Sequence, residues 1–537
     1  MRVNALFLPI VTVFFSVVFQ PGFTQTQTVA GEVSGSWNSD TIMVVDHIFV
    51  ADGYQLNISP GVHVIFDGHY RFDILGSVRA NGVRGDSVVF TVSDTTSFSN
   101  PQVDRGGWHG IRFNNTMPGN DSSVFSHCKF TFGKAIGDSL GNFGGAIFIR
   151  NFGKVRLSNC LISNNYAQNR GGGISGSGAL VKIENCRIEN NMAGFDQTAG
   201  IGGGIYFDNS APTIISTVIH HNYAYVAGGG ISFWFTDPVL VNCTVSDNYG
   251  AFGGGMNFFY CGNTHPVTGN LIFGNHSYFF GGGMTCNGTH HVMVNNTMVN
   301  NFGGGGGAIF LNTSSFPTYI NNVFWGNFSP AGGDQIYIWD VFSAPNFYFN
   351  DMEGGKEDFG GTGGVGSFIG TYEDNIELDP DFTGSGEHIY SLSENSPCIN
   401  SGKDDTTGFH LPHLDIAGNL RIDGGRVDIG AYEFQGSAYI NTHEYVRNSL
   451  KIYPNPFSDK ANIEFAFNKQ TATEVFISDL SGRLVKSWKL SDNELPDVSV
   501  TWDGRSLNGT LVKSGLYLVT FKTVDSQFSQ PLIFYQP

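Results

Sequence analysis

Apolar and polar positions in this chain recur in columns about 26 residues apart. Seven asparagines, Asn165, Asn191, Asn222, Asn248, Asn275, Asn301 and Asn327, each follow by three places an apolar residue: Ile162, Ile188, Ile219, Val245, Ile272, Met298 or Phe324. A glycine column, Gly145, Gly172, Gly203, Gly229, Gly254, Gly282, Gly307 and Gly333, carries Ile147, Ile174, Ile205, Ile231, Met256, Met284, Ile309 and Ile336 just behind it. Two columns in fixed phase define one repeating unit, and a period of this length fits one coil of a solenoid. The segments between columns are short, β-branched and aromatic, and glycine is too frequent for helix interiors, so helical repeats are set aside. The pattern predicts an all-β fold, a right-handed parallel β-helix solenoid.

Alternation within the strand after each glycine run places Ile147, Ile149, Ile205, Phe207, Ile231, Phe233, Met256 and Phe258 inward. Two outward columns follow. One runs Arg150, Ser177, Asp208, Trp234, Phe259, Asn287, Asn312 and Trp339, the other Phe148, Ser175, Tyr206, Ser232, Asn257, Thr285, Phe310 and Tyr337. Equivalent positions stack roughly 4.8 Å apart from coil to coil, so a column is the unit of function. Flat aromatics beside polar side chains suit a sugar chain, because pyranose faces stack on rings while hydroxyls find amides and carboxylates. Asp208, Trp234, Phe259 and Asn287 are the expected carbohydrate-binding patch. A structural reading competes with it, in which these rings pack under a loop or on one another. The asparagine ladder is expected to fill a turn, where Asn tolerates positive φ and bonds to the neighbouring coil. The glycine column also reads as a turn, with no phosphate-loop context around it.

Residues 25–121 hold less regular strands and read as an N-terminal cap and first coils. The regular coils span 122–350, and 351–435 read as last coils and C-terminal closure. Residues 436–448 form a polar linker. Beyond it glycine runs vanish and about seven short alternating strands appear, which predicts a small antiparallel β-sandwich over 449–537. Residues 1–24, with Arg2, an apolar core from Ala5 to Phe19 and Pro21-Gly22, read as a secretory signal. No later apolar run is long enough to span a bilayer.

Only 14% of residues are charged and the net charge is −18, which argues against nucleic acid or an anionic membrane as partner. Cys128, Cys160, Cys186 and Cys243 sit five places before the asparagine slot or its equivalent, where Thr217, Asn270, Asn296 and Asn322 stand in other coils. That shared position points to stacked buried side chains rather than disulfides.

Residues 449–537 carry Ile452-Tyr-Pro-Asn-Pro-Phe457, Asp479-Leu-Ser-Gly482, Trp502-Asp-Gly504 and Ser514-Gly-Leu-Tyr517. They are similar to the type A sorting domains of type IX secretion substrates in Bacteroidetes. The resemblance implies the type IX machinery as partner, transport across the outer membrane, and a secreted or surface-attached body. The body resembles the pectin-lyase-like right-handed β-helix proteins that carry this domain. Its Gly144-Gly-Ala-Ile147, Gly306-Gly-Ala-Ile309 and Phe324-Trp-Gly-Asn327 look like the repeats of chlamydial polymorphic outer-membrane adhesins.

Many relatives of this fold are polysaccharide lyases or hydrolases, and the lyases commonly use Lys or Arg, or Ca²⁺, beside a uronate. Between Arg187 and Lys356 there is no Lys or Arg, so a central site would rest on His220, His221, Tyr223, His276, His290 and His291, and none of these His residues forms a repeated column. Asp404 and Asp405 near His410, His413 and Asp415 read as a polar turn segment or a cation site. Lys129, Lys134, Arg150, Lys154, Arg156, Arg170, Lys182 and Arg187 form either a weakly basic strip or solubilising charges. No catalytic set, metal site or cofactor is assigned, though Ca²⁺ would be compatible. The favoured reading is a monomeric, non-catalytic protein that binds polysaccharide or a surface partner through outward aromatic and asparagine columns. The alternatives are a polysaccharide lyase, less a hydrolase, acting on an acidic glycan, and a structural spacer.

Overall fold

A computed structural model of the chain describes residues 25–436 and 449–536, except 138, 196–198, 263–264, 454–456, 467–471, 480–482, 490–496 and 524–526. The signal expected at 1–24 and the linker beyond residue 436 lie outside the described residues. The chain divides into two compact units at Gln435 and Gly436.

The first unit is a parallel β-helix whose regular coils contribute four strands each. In one coil these are Ile205–Asp208, Thr213–Ile215, Val218–His220 and Tyr223–Ala227. They pair in parallel with Ile231–Trp234, Val239–Val241, Thr244–Ser246 and Tyr249–Phe252 of the next. Every junction between these strands needs a left-handed residue: Asn209 (φ 44°), Ser216 (φ 48°), His221 (φ 53°) and Gly228 (φ 67°). After the glycine turn the backbones of adjacent coils touch. A Cβ on Gly229 would lie 2.4 Å from the carbonyl oxygens of Gly254 and Tyr249, which excludes any side chain there.

The asparagine ladder is buried from Asn165 to Asn327. Asn248 is typical. Its Oδ1 accepts from the backbone N–H of Asn222 at 2.9 Å and from Asn222 Nδ2 at 3.0 Å. Its Nδ2 donates to the Ile219 carbonyl at 2.9 Å and to Asn275 Oδ1 at 3.0 Å. Here the expectation of positive φ at the ladder is corrected. The left-handed residue is the one before, such as Asn164, Asn190, Asp247 or Asn300, and it swings the following amide inward to bridge coils. The preceding corner repeats the device with Cys160, Cys186, Thr217 and Cys243 and then Asn270, Asn296, Asn322 and Asn350. All seven cysteines are free and buried.

The inward positions Ile147, Ile149, Ile205, Phe207, Ile231, Phe233, Met256 and Phe258 form the core, each fully buried. The second column expected outside is not outside. Phe148, Ser175, Tyr206, Ser232, Asn257, Thr285 and Phe310 are all 5% exposed or less, and only the last member, Tyr337, is half-buried. Their cover is the segment ahead of each glycine, which the left-handed turn folds back onto the strand. Phe280 stacks on Phe310 at 4.5 Å and Phe143 packs on Phe148 at 6.2 Å. Beneath the cover, Asn257 Nδ2 donates to Ser232 Oγ at 2.9 Å and Thr285 Oγ1 to Asn257 Oδ1 at 2.8 Å.

Phe347, Phe359, Phe368 and Tyr372 pack together at the end of the core. After Thr371–Glu373 the described chain adds no strand to this unit. It runs back along the outside of earlier coils as a strap, held by left-handed corner asparagines. Asn242 Nδ2 donates to the Leu414 carbonyl at 2.9 Å, Asn295 Nδ2 to that of Asp428 at 2.6 Å, and Asn321 Oδ1 accepts from Lys403 N–H at 2.8 Å. The buried Arg421 guanidinium meets Glu433 at 3.3 Å inside the strap.

The second unit has two antiparallel sheets. Ser449–Tyr453, Ala461–Ala466 and Asp497–Trp502 make one, and Ala472–Asp479, Leu484–Lys489, Gly515–Thr523 and Gln527–Phe534 make the other. Phe457, Ile463, Ile477, Trp502, Val519 and Phe534 share its core, so Phe457 and Trp502 of the sorting motifs are structural.

Asn248→Ala leaves the Asn222 backbone N–H without its acceptor and removes the side-chain bonds to Asn222, Ile219 and Asn275, and is expected to cost about 2–4 kcal/mol in urea unfolding; a loss below about 0.5 kcal/mol would refute the ladder's role. Burial holds the His291 imidazole far below the ordinary range, at about 3. The folded protein keeps it neutral while the unfolded chain takes up a proton below about pH 6.5, so this stability is full above that pH and falls as pH drops toward 3. His291→Phe is expected to remove about 2 kcal/mol of the stability lost between about pH 7 and pH 5. Parallel pH profiles for the two proteins would contradict this.

Candidate functional site

Asp208, Trp234, Phe259 and Asn287 occupy successive positions of one column and are all half-buried. Arg170, from an earlier coil, organises the patch. Its guanidinium lies 5.1 Å from the Trp234 ring centre, 5.0 Å from Tyr206 and 5.4 Å from Phe143. It donates to the Tyr206 hydroxyl at 2.8 Å and pairs with Asp208 at 3.6 Å. Asp208 also accepts from Ser177 Oγ and Asn209 Nδ2, both at 2.9 Å. Phe259 packs against Trp234 at 4.8 Å, and the solvent-shielded Trp234 Nε1 has no partner. The polar groups expected to meet sugar hydroxyls are thus largely engaged within the patch.

The neighbouring corner is more open. Phe235 and Tyr260 take left-handed backbone at φ 48° and 49°, which bulky residues rarely adopt, and their exposed rings stack 5.6 Å apart.

A larger aromatic face lies on the fourth strand of each coil. Tyr223, Tyr249, His276, Phe302 and Phe328 follow the asparagine ladder by one residue; the first four stack at 5.3, 5.1 and 4.5 Å, and Phe328 tilts against Phe302 at 5.8 Å. His276 therefore does belong to a repeated column, contrary to expectation. Tabulating the position after each ladder asparagine would have found it. Register shifts beside this column, between Gly250 and Phe252 and between Ser277 and Phe280, swell the strands outward. They frame a groove of about 540 Å³ lined by Tyr223, Tyr225, Tyr249, Phe252, Tyr278 and Phe279, with Val226 and Ala251. Tyr278 is 65% exposed and Phe279 46%.

Residues 139–281 and 173–351 match the family described as right handed beta helix region, and residues 451–534 match the secretion system C-terminal sorting domain. The chain is a right-handed β-helix protein with a type IX secretion sorting domain. It is carried by that system to the cell surface or beyond. No curated protein matches it. No helix among the described residues is long and apolar enough to cross a membrane.

The remaining candidates of the β-helix protein lie apart. His220 bonds Glu189 and His221, both at 2.6 Å, and burial lowers its basicity. His290 lies beside Phe316, and His291 is in the core. Asp404 pairs with Arg426 at 2.8 Å, Asp405 caps Thr407, and Asp415 is buried, accepting from Ala417, Asn419 and Glu433. Of the early basic residues, Lys134 is buried on three carbonyls, the exposed Lys154 donates to two, and Lys182 and Arg187 pair with Glu184 and Glu189.

Arg170→Gln removes the cation from three rings and is expected to cost about 1–2 kcal/mol while red-shifting tryptophan emission. Unchanged emission would mean that Arg170 does not hold Trp234.

Proposed function

We propose that this secreted β-helix protein binds a neutral polysaccharide in the groove between Tyr225, Phe252, Tyr278 and Phe279. The supporting observation is the exposure of Tyr278 and Phe279 beside a stacked aromatic column, in a groove whose lining includes no charged side chain. Rings in the column turn their faces to each other, so the ring faces available to a pyranose are those at the groove's edge. Tyr223, Tyr225, Tyr249 and Tyr278 add hydroxyls that can bond sugar oxygens. A sugar has both an apolar face and many hydroxyls, whereas a purely apolar partner would leave these tyrosine groups unused. The underlying ladder fixes the rings before binding, so little rotamer entropy is lost on association.

The test is affinity electrophoresis of the full chain and of a Tyr278→Ala/Phe279→Ala variant through neutral and acidic glycans. Retention by a neutral glycan and at least a tenfold weakening in the variant, about 1.4 kcal/mol, are expected. Equal retention of both proteins would reject the groove. Loss instead in Phe235→Ala/Tyr260→Ala would move the contact to that corner. An unsaturated product absorbing in the ultraviolet would replace the binding reading with a lyase.

A further inference from the structure

Two arginines among the described residues are buried, Arg112 in the first coils and Arg421 in the strap. Arg421 is buried among Glu433, Asp428 and Asp415, all of which favour its charge. Arg112, on strand Ile111–Asn114, is 5% exposed and has no carboxylate within ion-pair distance among the described residues. Its Nη1 and Nη2 donate to the carbonyls of Phe143 and His109, and its Nε is buried without a partner. The nearby Asp73 is held by Arg71 at 2.6 Å. Burial pushes the Arg112 guanidinium down to about 9; the Asp73 carboxylate opposes this fall and the Arg71 cation adds to it. A buried cation with no ion-pair partner of its own is destabilising, and a bound anion would relieve that.

Arg112 lines a hollow of about 480 Å³, which shares Arg71 and His109 with a cleft of about 1110 Å³. Arg105 also lines the larger cleft. Two further buried polar atoms without partners belong to these walls, Asn114 Oδ1 in the smaller and Asn142 Oδ1 in the larger. His69 and His109 stack at 4.7 Å, and each spends Nε2 on a backbone carbonyl, that of Lys134 at 2.7 Å and of Gly141 at 2.8 Å. A carbonyl only accepts, so Nε2 carries the proton in both rings. Burial disfavours protonation of both, which leaves Nδ1 as an acceptor. The walls thus offer guanidinium groups for an anion and amide and imidazole acceptors for hydroxyls, beside two carboxylates, Asp73, which Arg71 pairs, and Asp104.

We infer that this cleft, built mainly ahead of the matched β-helix region, binds a sugar bearing an oxyanion, carboxylate or sulfate, whose charge compensates Arg112. It is distinct in place and chemistry from the uncharged aromatic groove, so either site can fail without the other.

The experiment is calorimetric titration of the full chain with three probes: a galacturonate trisaccharide, a sulfated galactose trisaccharide and cellotriose. Binding of one or both anionic probes, weakening with added salt, is expected. Which of them binds identifies the anion. Arg112→Gln should abolish that binding. Because this buried variant can misfold, Arg71→Gln/Arg105→Gln at the more accessible positions serves as the second test. It should weaken anionic binding at least tenfold with the thermal midpoint unchanged and with retention on neutral glycan intact. No heat from either anionic probe at millimolar concentration, or equal affinity in the Arg71→Gln/Arg105→Gln variant, would overturn the assignment.

Discussion

The fold rests on the coil corner, where a left-handed residue is followed by an inward polar side chain that closes hydrogen bonds of the neighbouring coil. A buried turn strands backbone N–H and C=O groups, each costing about 1–3 kcal/mol if left unpaired. Asparagine answers this better than the residues that replace it at the second corner, because its amide both donates and accepts. Asn275, for example, reaches back to Val245 and forward to Asn301 with one side chain. A thiol such as Cys243 can donate to Ile214 and Val241 but brings no second donor. Since each coil touches only its neighbours, this local closure, repeated, is the stability of the solenoid.

The same corners decide what the surface displays. When the residue after the left-handed one points in, the next points out, so the column Tyr223, Tyr249, His276, Phe302 and Phe328 faces solvent in register behind the asparagine ladder. The left-handed positions themselves are outward and serve different ends. Asn242, Asn295 and Asn321 tether the strap, whereas Phe235 and Tyr260 present rings. Charge is distributed unevenly over this frame, with guanidinium groups gathered at the first coils and an uncharged aromatic groove on the central ones.

The period, the inward strand positions and the antiparallel character of the C-terminal unit were legible because each depends on local spacing. The burial of Ser232, Asn257 and Thr285 was not legible. Strand alternation assigns them outward, and only the folded-back segment before each glycine covers them. Nor was Arg170 foreseeable beside Trp234, since the two meet across intervening coils. The strap's return to Asn242 from Leu414 joins residues far apart in sequence through an irregular segment that has no periodicity to read. His276 was within reach of the sequence, one place behind a column already recognised.

Native-state hydrogen exchange followed by mass spectrometry or NMR tests the corner account most directly. The backbone N–H groups of Asn191, Asn222, Asn248 and Asn275 are bonded to side-chain oxygens of the next coil rather than to a strand partner. The account predicts that they exchange as slowly as the N–H groups of the core strands Ile231–Trp234 and Met256–Phe259. Exchange as fast as at solvent-exposed loop positions would mean that the amide ladder does not hold the coils together.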